Sequence, residues 1–153
     1  MLRAGLVSIA VLACAIPCEA QVALTAGQLV GVWKCETDPS EAISQFTVTL
    51  SADGKEIADA TMQIGEPLNL EVSMRGTATW ALKDNQFIET PISFKYTGGK
   101  KNGRPVAPGF LETVLGEPPV PGEPTVSTIE IDGDVMRQKK SAGKADTRCT
   151  RQK

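Results

Sequence analysis

The sequence predicts an all-β protein: a single up-and-down antiparallel barrel of about eight strands, closed by a Cys35–Cys149 disulfide. Apolar and polar residues alternate in a series of short segments, and turn-forming residues separate these segments. The two cysteines lie in the first and last segments, so a bond between them would make the chain ends neighbours. One region, 97–124, is rich in glycine and proline and interrupts the series as a single long loop.

Residues 1–20 have the features of a secretory signal peptide. A short basic region precedes an apolar run that is too short to span a bilayer, and Ala20 supplies a small residue at the cleavage position. Cys14 and Cys18 also fit lipoprotein processing, but Cys14 would leave an unusually short leader and Cys18 follows a proline. We therefore expect a periplasmic or secreted protein with one domain at 21–153, and lipid anchoring as the disfavoured alternative.

The composition argues against several functions. The chain has 16 basic and 18 acidic residues, a net charge of −2, which gives no reason to expect nucleic acid or an anionic membrane as partner. It has no histidine, so it cannot build a Ser-His-Asp or Cys-His nucleophile or a histidine-bearing zinc site. Carboxylates such as Glu89 could serve a glycosidase only in a close pair, which the sequence does not reveal. We expect no enzyme activity, no cofactor and no metal.

A helical turn and a strand open the domain. The turn is predicted at 24–28, where Thr25 can cap it, and such a turn often closes one end of a small barrel. The first strand follows at about 29–37 and places Trp33 and Cys35 on one face.

The second and third strands are predicted to form a hairpin. The second strand, 44–50, directs Phe46 and Val48 inward by alternation. A three-residue loop that ends at a left-handed Gly54 fits the turn sequence and sets the register of the third strand. The pairs expected are Phe46 with Ala60 and Val48 with Ala58.

Two longer strands and the long loop come next. Residues 68–82 keep apolar side chains on one face, with Gly76 expected at a kink or bulge. Residues 86–96 form another strand, in which Pro91 implies an edge or a bulge. The loop 97–124 then leaves the sheet.

The last three strands are predicted between 126 and 151. A two-residue turn at 132–133 would join the first two of them and pair Met136 with Ile129. The following turn pairs Met136 with Cys149, so all three side chains would face the interior.

The two chain ends resemble a known family. Gly31-Val32-Trp33 is similar to the Gly-x-Trp signature on the first strand of lipocalins and related calycin barrels, in which an arginine near the end of the last strand packs across the tryptophan. If the two cysteines pair directly, Trp33 faces Arg151. The resemblance implies a lipocalin-like exported barrel whose base is plugged by Trp33, Arg151 and Asp134. The chain lacks the Thr-Asp-Tyr motif and the C-terminal helix of the classical lipocalins.

Polar residues are predicted to face the interior toward one mouth of the barrel. They are Thr37, Ser127, Gln138 and Thr147. An interior that turns polar toward a mouth suits a solvated pocket, because an unpaired buried polar group costs about 1–3 kcal/mol. Phe110 and Leu111, on a short helix predicted at 109–115 that could act as a lid, complete the candidate ligand-binding set. The four polar residues could instead bond to each other or to trapped water.

The predicted function is an exported binding module that holds a small, partly apolar ligand in the barrel mouth. Two alternatives stay open: an inhibitor of a secreted hydrolase, with 97–124 or the N-terminus as its wedge, and a structural envelope protein with a filled interior. A cavity of about 300 Å³ or more favours the first function, and a protruding apolar-tipped loop favours the inhibitor. We expect a monomer without a membrane span.

Overall fold

The computed structural model describes residues 23–37, 43, 45–140 and 146–153. The elements in chain order are α1 (Ala26–Leu29), β1 (Gly31–Glu36), β2 (Gln45–Leu50), β3 (Lys55–Ile64), β4 (Leu70–Lys83), β5 (Gln86–Lys101), β6 (Arg104–Pro105), α2 (Phe110–Leu115), β7 (Thr125–Asp132), β8 (Val135–Lys140) and β9 (Thr147–Arg151). The predicted leader, with Cys14 and Cys18, lies outside the described residues.

Eight of these strands form a closed antiparallel barrel, as predicted. Their order around the ring is β4, β3, β2, β1, β9, β8, β7 and β5, and the pairing of β4 with β5 closes it. β6 is a two-residue strand that pairs only with the last residues of β5. We call the end that carries α1 the base and the opposite end the mouth.

The disulfide between Cys35 and Cys149 joins the first and last strands of the barrel. The two cysteines are direct partners in the β1–β9 ladder, and their Cα atoms are 3.9 Å apart. The same register places Trp33 opposite Arg151, as predicted from the cysteine pair. Because the bond encloses most of the described chain, the loop-entropy model assigns it a stabilisation of about 4–5 kcal/mol.

The predicted register of the β7–β8 hairpin is wrong by two residues. Met136 pairs with Ile131 rather than with Ile129, because the turn residues are Gly133 and Asp134. Gly133 has a φ of 57° and so provides the positive φ that the first central position of a tight hairpin requires. A shift of two residues preserves the alternation, so the predicted inward side chains still face inward.

The predicted end of the fifth strand at residue 96 is also wrong. β5 continues to Lys101, so the first five residues of the expected 97–124 loop belong to the sheet. Two register shifts against β4 leave Ile92 and Thr97 as extra residues on β5, and the first of them follows Pro91. Gly76, the expected bulge, instead pairs regularly between the two shifts.

The long strands project beyond the barrel and form a second packed region. Residues 61–64, 70–73 and 98–101 pair with one another past the last partners in β2 and β7, and we call them the extension. α2 packs on it, with Leu111 against Leu70 and Val72. The helix predicted at 109–115 is therefore present, and its buried residue belongs to this second core.

The main core fills the base half of the barrel. Its buried members are Leu29, Trp33, Cys35, Val48, Leu50, Trp80, Phe87, Ile129, Met136 and Cys149. Apolar burial of this kind contributes about 25 cal/mol per Å² and supplies most of the driving force for closing the barrel.

Candidate functional site

At the base of the barrel, the guanidinium group of Arg151 is occupied by contacts within the protein. The guanidinium carbon of Arg151 lies 4.1 Å from the centroid of the Trp33 ring. Its Nη1 donates to the carbonyl of Val30 at 2.7 Å, and its Nη2 donates to the carbonyl of Gln28 at 2.5 Å. Asp134 is a looser partner, with its Oδ1 3.8 Å from Nε. Because backbone carbonyls and an aromatic face occupy this guanidinium, it has little capacity left to bind a ligand.

The residues around Arg151 and Trp33 explain why the base is closed. Trp33 is fully buried, and its Nε1 donates to the carbonyl of Leu29 at 2.7 Å. Gly31 has a φ of 141°, and a Cβ added there would lie 2.6 Å from Nη1 of Arg151. Glycine at this position therefore allows the last strand to place its arginine against the tryptophan.

Polar side chains line one side of the interior, nearer the mouth than the disulfide. We call Glu89, Ser127, Gln138 and Thr147 the polar wall; they lie on the four consecutive strands β5, β7, β8 and β9. Gln138 is opposite Thr147, and its Nε2 donates to Oγ of Ser127 at 2.9 Å. Glu89 lies opposite Trp80 and shares its inward face, diagonally adjacent to Ser127. Three of the four polar residues predicted to face the mouth are thus brought together.

Thr147 is the exceptional member of the polar wall. Its side chain faces the interior and is 2% exposed, yet its Oγ1 has no hydrogen-bond partner among the described residues. A buried hydroxyl without a partner costs about 1–3 kcal/mol, which is a large fraction of a domain's net stability. The arrangement can accept a hydrogen bond at this atom without losing one that already exists.

Thr37, the fourth predicted polar residue, has a different role. It follows the last residue of β1 and is half-buried. Its hydroxyl donates to the carbonyl of Ile43 at 3.0 Å, so it ties the two sides of the β1–β2 connection together. Thr37 is therefore not a member of the polar wall.

Small side chains face the polar wall across the barrel. Ala58 and Ala60 lie on β3, and Gly76 and Ala78 lie on β4; we call these four the small-residue wall. In a ring of eight strands, β3 and β4 stand opposite β8 and β9. Three of the four, all but Ala78, are only half-buried although they face inward. Their small side chains fill less of the mouth half of the barrel than the large apolar side chains fill of the packed base.

An aromatic side chain borders this open space. Phe94 pairs with Gly76, and a Cβ added to Gly76 would lie 3.1 Å from the Phe94 ring, so the ring covers the glycine. Phe94 is nevertheless 36% exposed. Phe46, also inward and half-buried, lies on the neighbouring strand β2 beside Ala60. The open region thus combines a polar side with an apolar, partly aromatic side.

Sequence reasoning missed the inward position of three residues in the barrel. Glu56 is 7% exposed and pairs with Leu50 and Ala78; the hairpin register that turned the alanines inward already implied this position. Glu89 follows the alternation of the buried Phe87. Phe94 could not be found by alternation, because the bulge at Ile92 reverses the parity of β5 up to the second bulge at Thr97.

A concave feature lies under α2. It is a half-open cleft of about 310 Å³, lined by Tyr96, Thr97, Gly98, Gly99, Val106, Ala107, Pro108, Gly109, Leu111 and Glu112. Of the two predicted lid residues, Leu111 is 4% exposed and packed in the second core. Phe110 is half-buried and lies 5.7 Å from the Lys101 ammonium.

Exposed ion pairs connect side chains on the outer surface of the protein. Lys100 bonds to Glu71 at 2.7 Å, and Lys139 bonds to Glu130 at 2.7 Å. The Lys100 hydrogen bond, followed by that of Gln63, lowers the pKa of the Glu71 carboxyl, and the Lys139 hydrogen bond lowers the pKa of Glu130. Lys100 is therefore engaged within the protein.

No group of three or more Cys, Asp or Glu residues in the described ranges is arranged to hold a metal ion, and no helix in the same ranges is long and apolar enough to cross a membrane. A scan against protein-family models finds no match to this chain, and a search of curated proteins finds no relative.

Proposed function

We propose that the protein is a binding module that holds a small, partly apolar ligand in the mouth half of its barrel. The observation that carries the proposal is the buried hydroxyl of Thr147, which has no hydrogen-bond partner among the described residues and lies across the barrel from the small-residue wall. A polar group that is deeply buried without a partner is retained at a cost, and a bound ligand can repay that cost. Phe46 and Phe94 offer the apolar contact that such a ligand would need.

The resemblance to lipocalins supports the same proposal. The Gly-x-Trp segment at Gly31 and the stacking of Arg151 on Trp33 agree with a lipocalin-like base, and an eight-stranded barrel of this type has room for one small ligand. We also propose a periplasmic or secreted location, since a disulfide is compatible with an oxidising compartment.

Filling the open space tests the proposal. Ala60→Leu adds volume inside the small-residue wall, and Ala81→Leu adds the same volume at an exposed position on β4. We expect native mass spectrometry of protein purified from its own envelope to show a retained small molecule in the wild type and in Ala81→Leu, and to lose it in Ala60→Leu. The wild type and Ala81→Leu should also bind the fluorescent probe N-phenyl-1-naphthylamine, and Ala60→Leu should not. Equal probe binding by Ala60→Leu and the wild type would refute the proposed site.

One observation favours the inhibitor as a second candidate. Val120 is 88% exposed within a Pro-Pro-Val-Pro segment, whose proline content favours a stiff, extended chain. Val120→Asp should then abolish inhibition of a susceptible secreted hydrolase, while Ala60→Leu leaves that inhibition intact. If Val120→Asp had the same inhibition constant as the wild type, this loop would not be the segment that inserts into the hydrolase.

A further inference from the structure

We infer that the protein has a second binding site, at which an extended peptide pairs as an added strand with an open edge of β5. This site goes beyond the small-ligand site, because its ligand is a polypeptide segment and it lies in the wall of the barrel. The segment it fits has apolar side chains at alternate positions and a basic group near its amino-terminal end.

β5 has strand neighbours on both sides only near its two ends. Apart from its two bulges it pairs with β4 along its whole length. On the other side, β7 pairs with it as far as Glu89, and the segment that begins with β6 last bonds to it at Gly99, whose carbonyl accepts from the N–H of Val106 at 3.1 Å. Between these contacts, residues 90–98 have no backbone partner on that side in the part of the chain that the structure describes. We call this stretch the open edge, and the space beside it the gap between β6 and β7.

The backbone groups of Phe94 and Tyr96 point into this gap. In an antiparallel ladder, alternate residues direct their N–H and C=O groups to opposite sides of the strand. The N–H of Trp80 on β4 is bonded to the turn before β3, away from β5, and Gly76 and Met74 follow the same alternation. Their partners on β5 are Phe94 and Tyr96, which therefore direct their own N–H and C=O groups away from β4. Such edge groups are the template for addition of another strand.

The protein's own chain is poorly suited to fill the gap. It leaves the edge of β5 after Val106 and returns to it at Thr125, so residues 107–124 bypass the open edge. The last seven residues of this detour, 118–124, include four prolines. Proline has no N–H to donate to a neighbouring strand, so this segment would make an incomplete ladder.

A second copy of the protein fits no better. Its β5 has 16 residues and is longer than the gap, and its open edge is likewise flanked by β6 and β7. Pairing two open edges would therefore bring strand ends of the two copies into collision. Lys95 on the open edge also disfavours edge-to-edge association of copies. The gap instead suits a short extended segment of another polypeptide.

The ends of the gap determine the direction of this segment and one of its charges. β6 and β7 both run antiparallel to β5, so a strand in line with them has its amino-terminal end beside Gly99. The cleft under α2 lies at this end, because residues 96–98 of the open edge line it together with Glu112. Glu112 is half-buried, and its carboxylate has no ion pair among the described residues. A lysine or arginine near the amino-terminal end of the segment can supply the missing cation.

Exposed apolar side chains determine the rest of the segment. Ile92 is 58% exposed and Phe94 is 36% exposed, both on the open edge. Residues of an added strand that lie directly opposite Phe94 and Tyr96 exchange hydrogen bonds with them and also share their inward face. Apolar side chains at these alternate positions would cover the exposed part of the Phe94 ring. The residues between them face outward and can be polar.

Peptides methylated on backbone nitrogens test the inference. The probe is acetyl-Lys-Val-Thr-Val-Thr-Val-Thr, labelled with fluorescein at its carboxyl end and titrated with the full-length mature protein by fluorescence anisotropy. We expect the unmodified peptide to bind and the valine-methylated peptide to bind at least about tenfold more weakly, because the valine N–H groups face β5. The threonine-methylated peptide is the matched control. Its modified nitrogens point away from β5, so its affinity should stay within about twofold of that of the unmodified peptide.

Hydrogen exchange locates the bound peptide. The N–H groups of Phe94 and Tyr96 should exchange about tenfold more slowly with the peptide bound. Those of Ser93 and Lys95 point toward β4 and serve as internal controls, so their exchange should not change. Ala60→Leu should keep its affinity for the peptide, which separates this site from the small-ligand site in the interior.

The amino-terminal charge is tested with a second pair of variants. Glu112→Gln should weaken binding of the lysine peptide about threefold or more, and should not weaken binding of a peptide with norleucine in place of lysine. Glu117→Gln, an exposed change just after α2, should alter neither affinity. Equal binding of the lysine peptide by Glu112→Gln and the wild type would overturn the assigned direction of the segment.

Three results would overturn the site itself. They are failure of the unmodified peptide to bind, equal weakening by valine and threonine methylation, and binding that leaves the exchange of Phe94 and Tyr96 unchanged.

Discussion

Arg151 and Trp33 face each other across the seam between the last and first strands, with the guanidinium carbon 4.1 Å from the indole centroid. The two residues are far apart in the sequence, and the disulfide two pairs along the ladder holds them in register. The contact lies at the closed base, on the other side of the disulfide from the polar wall. It therefore provides a way to separate stability from binding.

Arg151→Ala should lower the free energy of unfolding by about 1–3 kcal/mol, because the stacking is lost and two backbone carbonyls lose their donors. Arg151→Lys should recover only part of this, since an ammonium cannot stack as a plane or bond both carbonyls in the same way. Urea melts followed by tryptophan fluorescence measure both effects. Probe binding at the mouth serves as the control, and its loss in a variant of unchanged stability would place the functional site at the base.

Gly31→Ala should also destabilise the base, by about 1–3 kcal/mol, because its Cβ would lie 2.6 Å from Nη1 of Arg151 and its φ is 141°. Gly27→Ala is the matched control. No atom lies within 4 Å of the Cβ it would add, and its position in α1 favours alanine. Thermal unfolding should show a lower Tm for the first variant and an equal or higher Tm for the second. Equal Tm values in the two variants would contradict the close packing proposed at the base.

Gly99→Ala should loosen α2 from the extension. A Cβ at Gly99 would lie 3.1 Å from both terminal methyl carbons of Leu111 and 3.0 Å from the carbonyl oxygen of Glu71. Gly98→Ala introduces the same methyl group with no atom within 4 Å. Hydrogen exchange should accelerate in 110–115 in the first variant only. Unchanged protection of α2 in Gly99→Ala would mean that the helix is anchored by other contacts.

Stability should fall as the solution becomes acidic. Glu71 and Glu130 have a pKa below the ordinary value in the folded protein, because Lys100 and Lys139 bond to their charged forms. Each contributes stability that is fully present above the ordinary carboxyl pKa, near 4, and that is lost as the pH falls through the lowered value. We therefore expect these two pairs to leave the urea midpoint of unfolding unchanged between about pH 7 and pH 5. At pH values below about 4, the urea midpoint should decrease. Both pairs are exposed, so the loss should be modest and should shrink in about 0.5 M salt. A fall that is equally large at high salt would assign the acid sensitivity to other groups.

Local patterns were enough to predict the barrel and the seam. Alternation identified the inward faces of β1 and β2, and the turn ending at Gly54 correctly paired Phe46 with Ala60. The pairing of Cys35 with Cys149 then set the position of Arg151 against Trp33. These successes share one cause: a short turn or a covalent bond determines a register without reference to distant strands.

The interior of the mouth depended on contacts that no local pattern contains. At the base, the two-residue shift that pairs Met136 with Ile131 had a local cause, the turn at Gly133 and Asp134, but alternation has a period of two and could not detect it. Bulges at Ile92 and Thr97 arise where β5 follows β4 into the extension, and they turn Phe94 toward the small-residue wall. Nor could spacing along the chain reveal that Thr147 would be buried with no partner in the part of the chain that the structure describes, because that depends on which strands stand opposite it in the closed ring. The sequence accordingly specifies which faces point inward, whereas closure of the barrel determines which side chains meet there and how much space they leave.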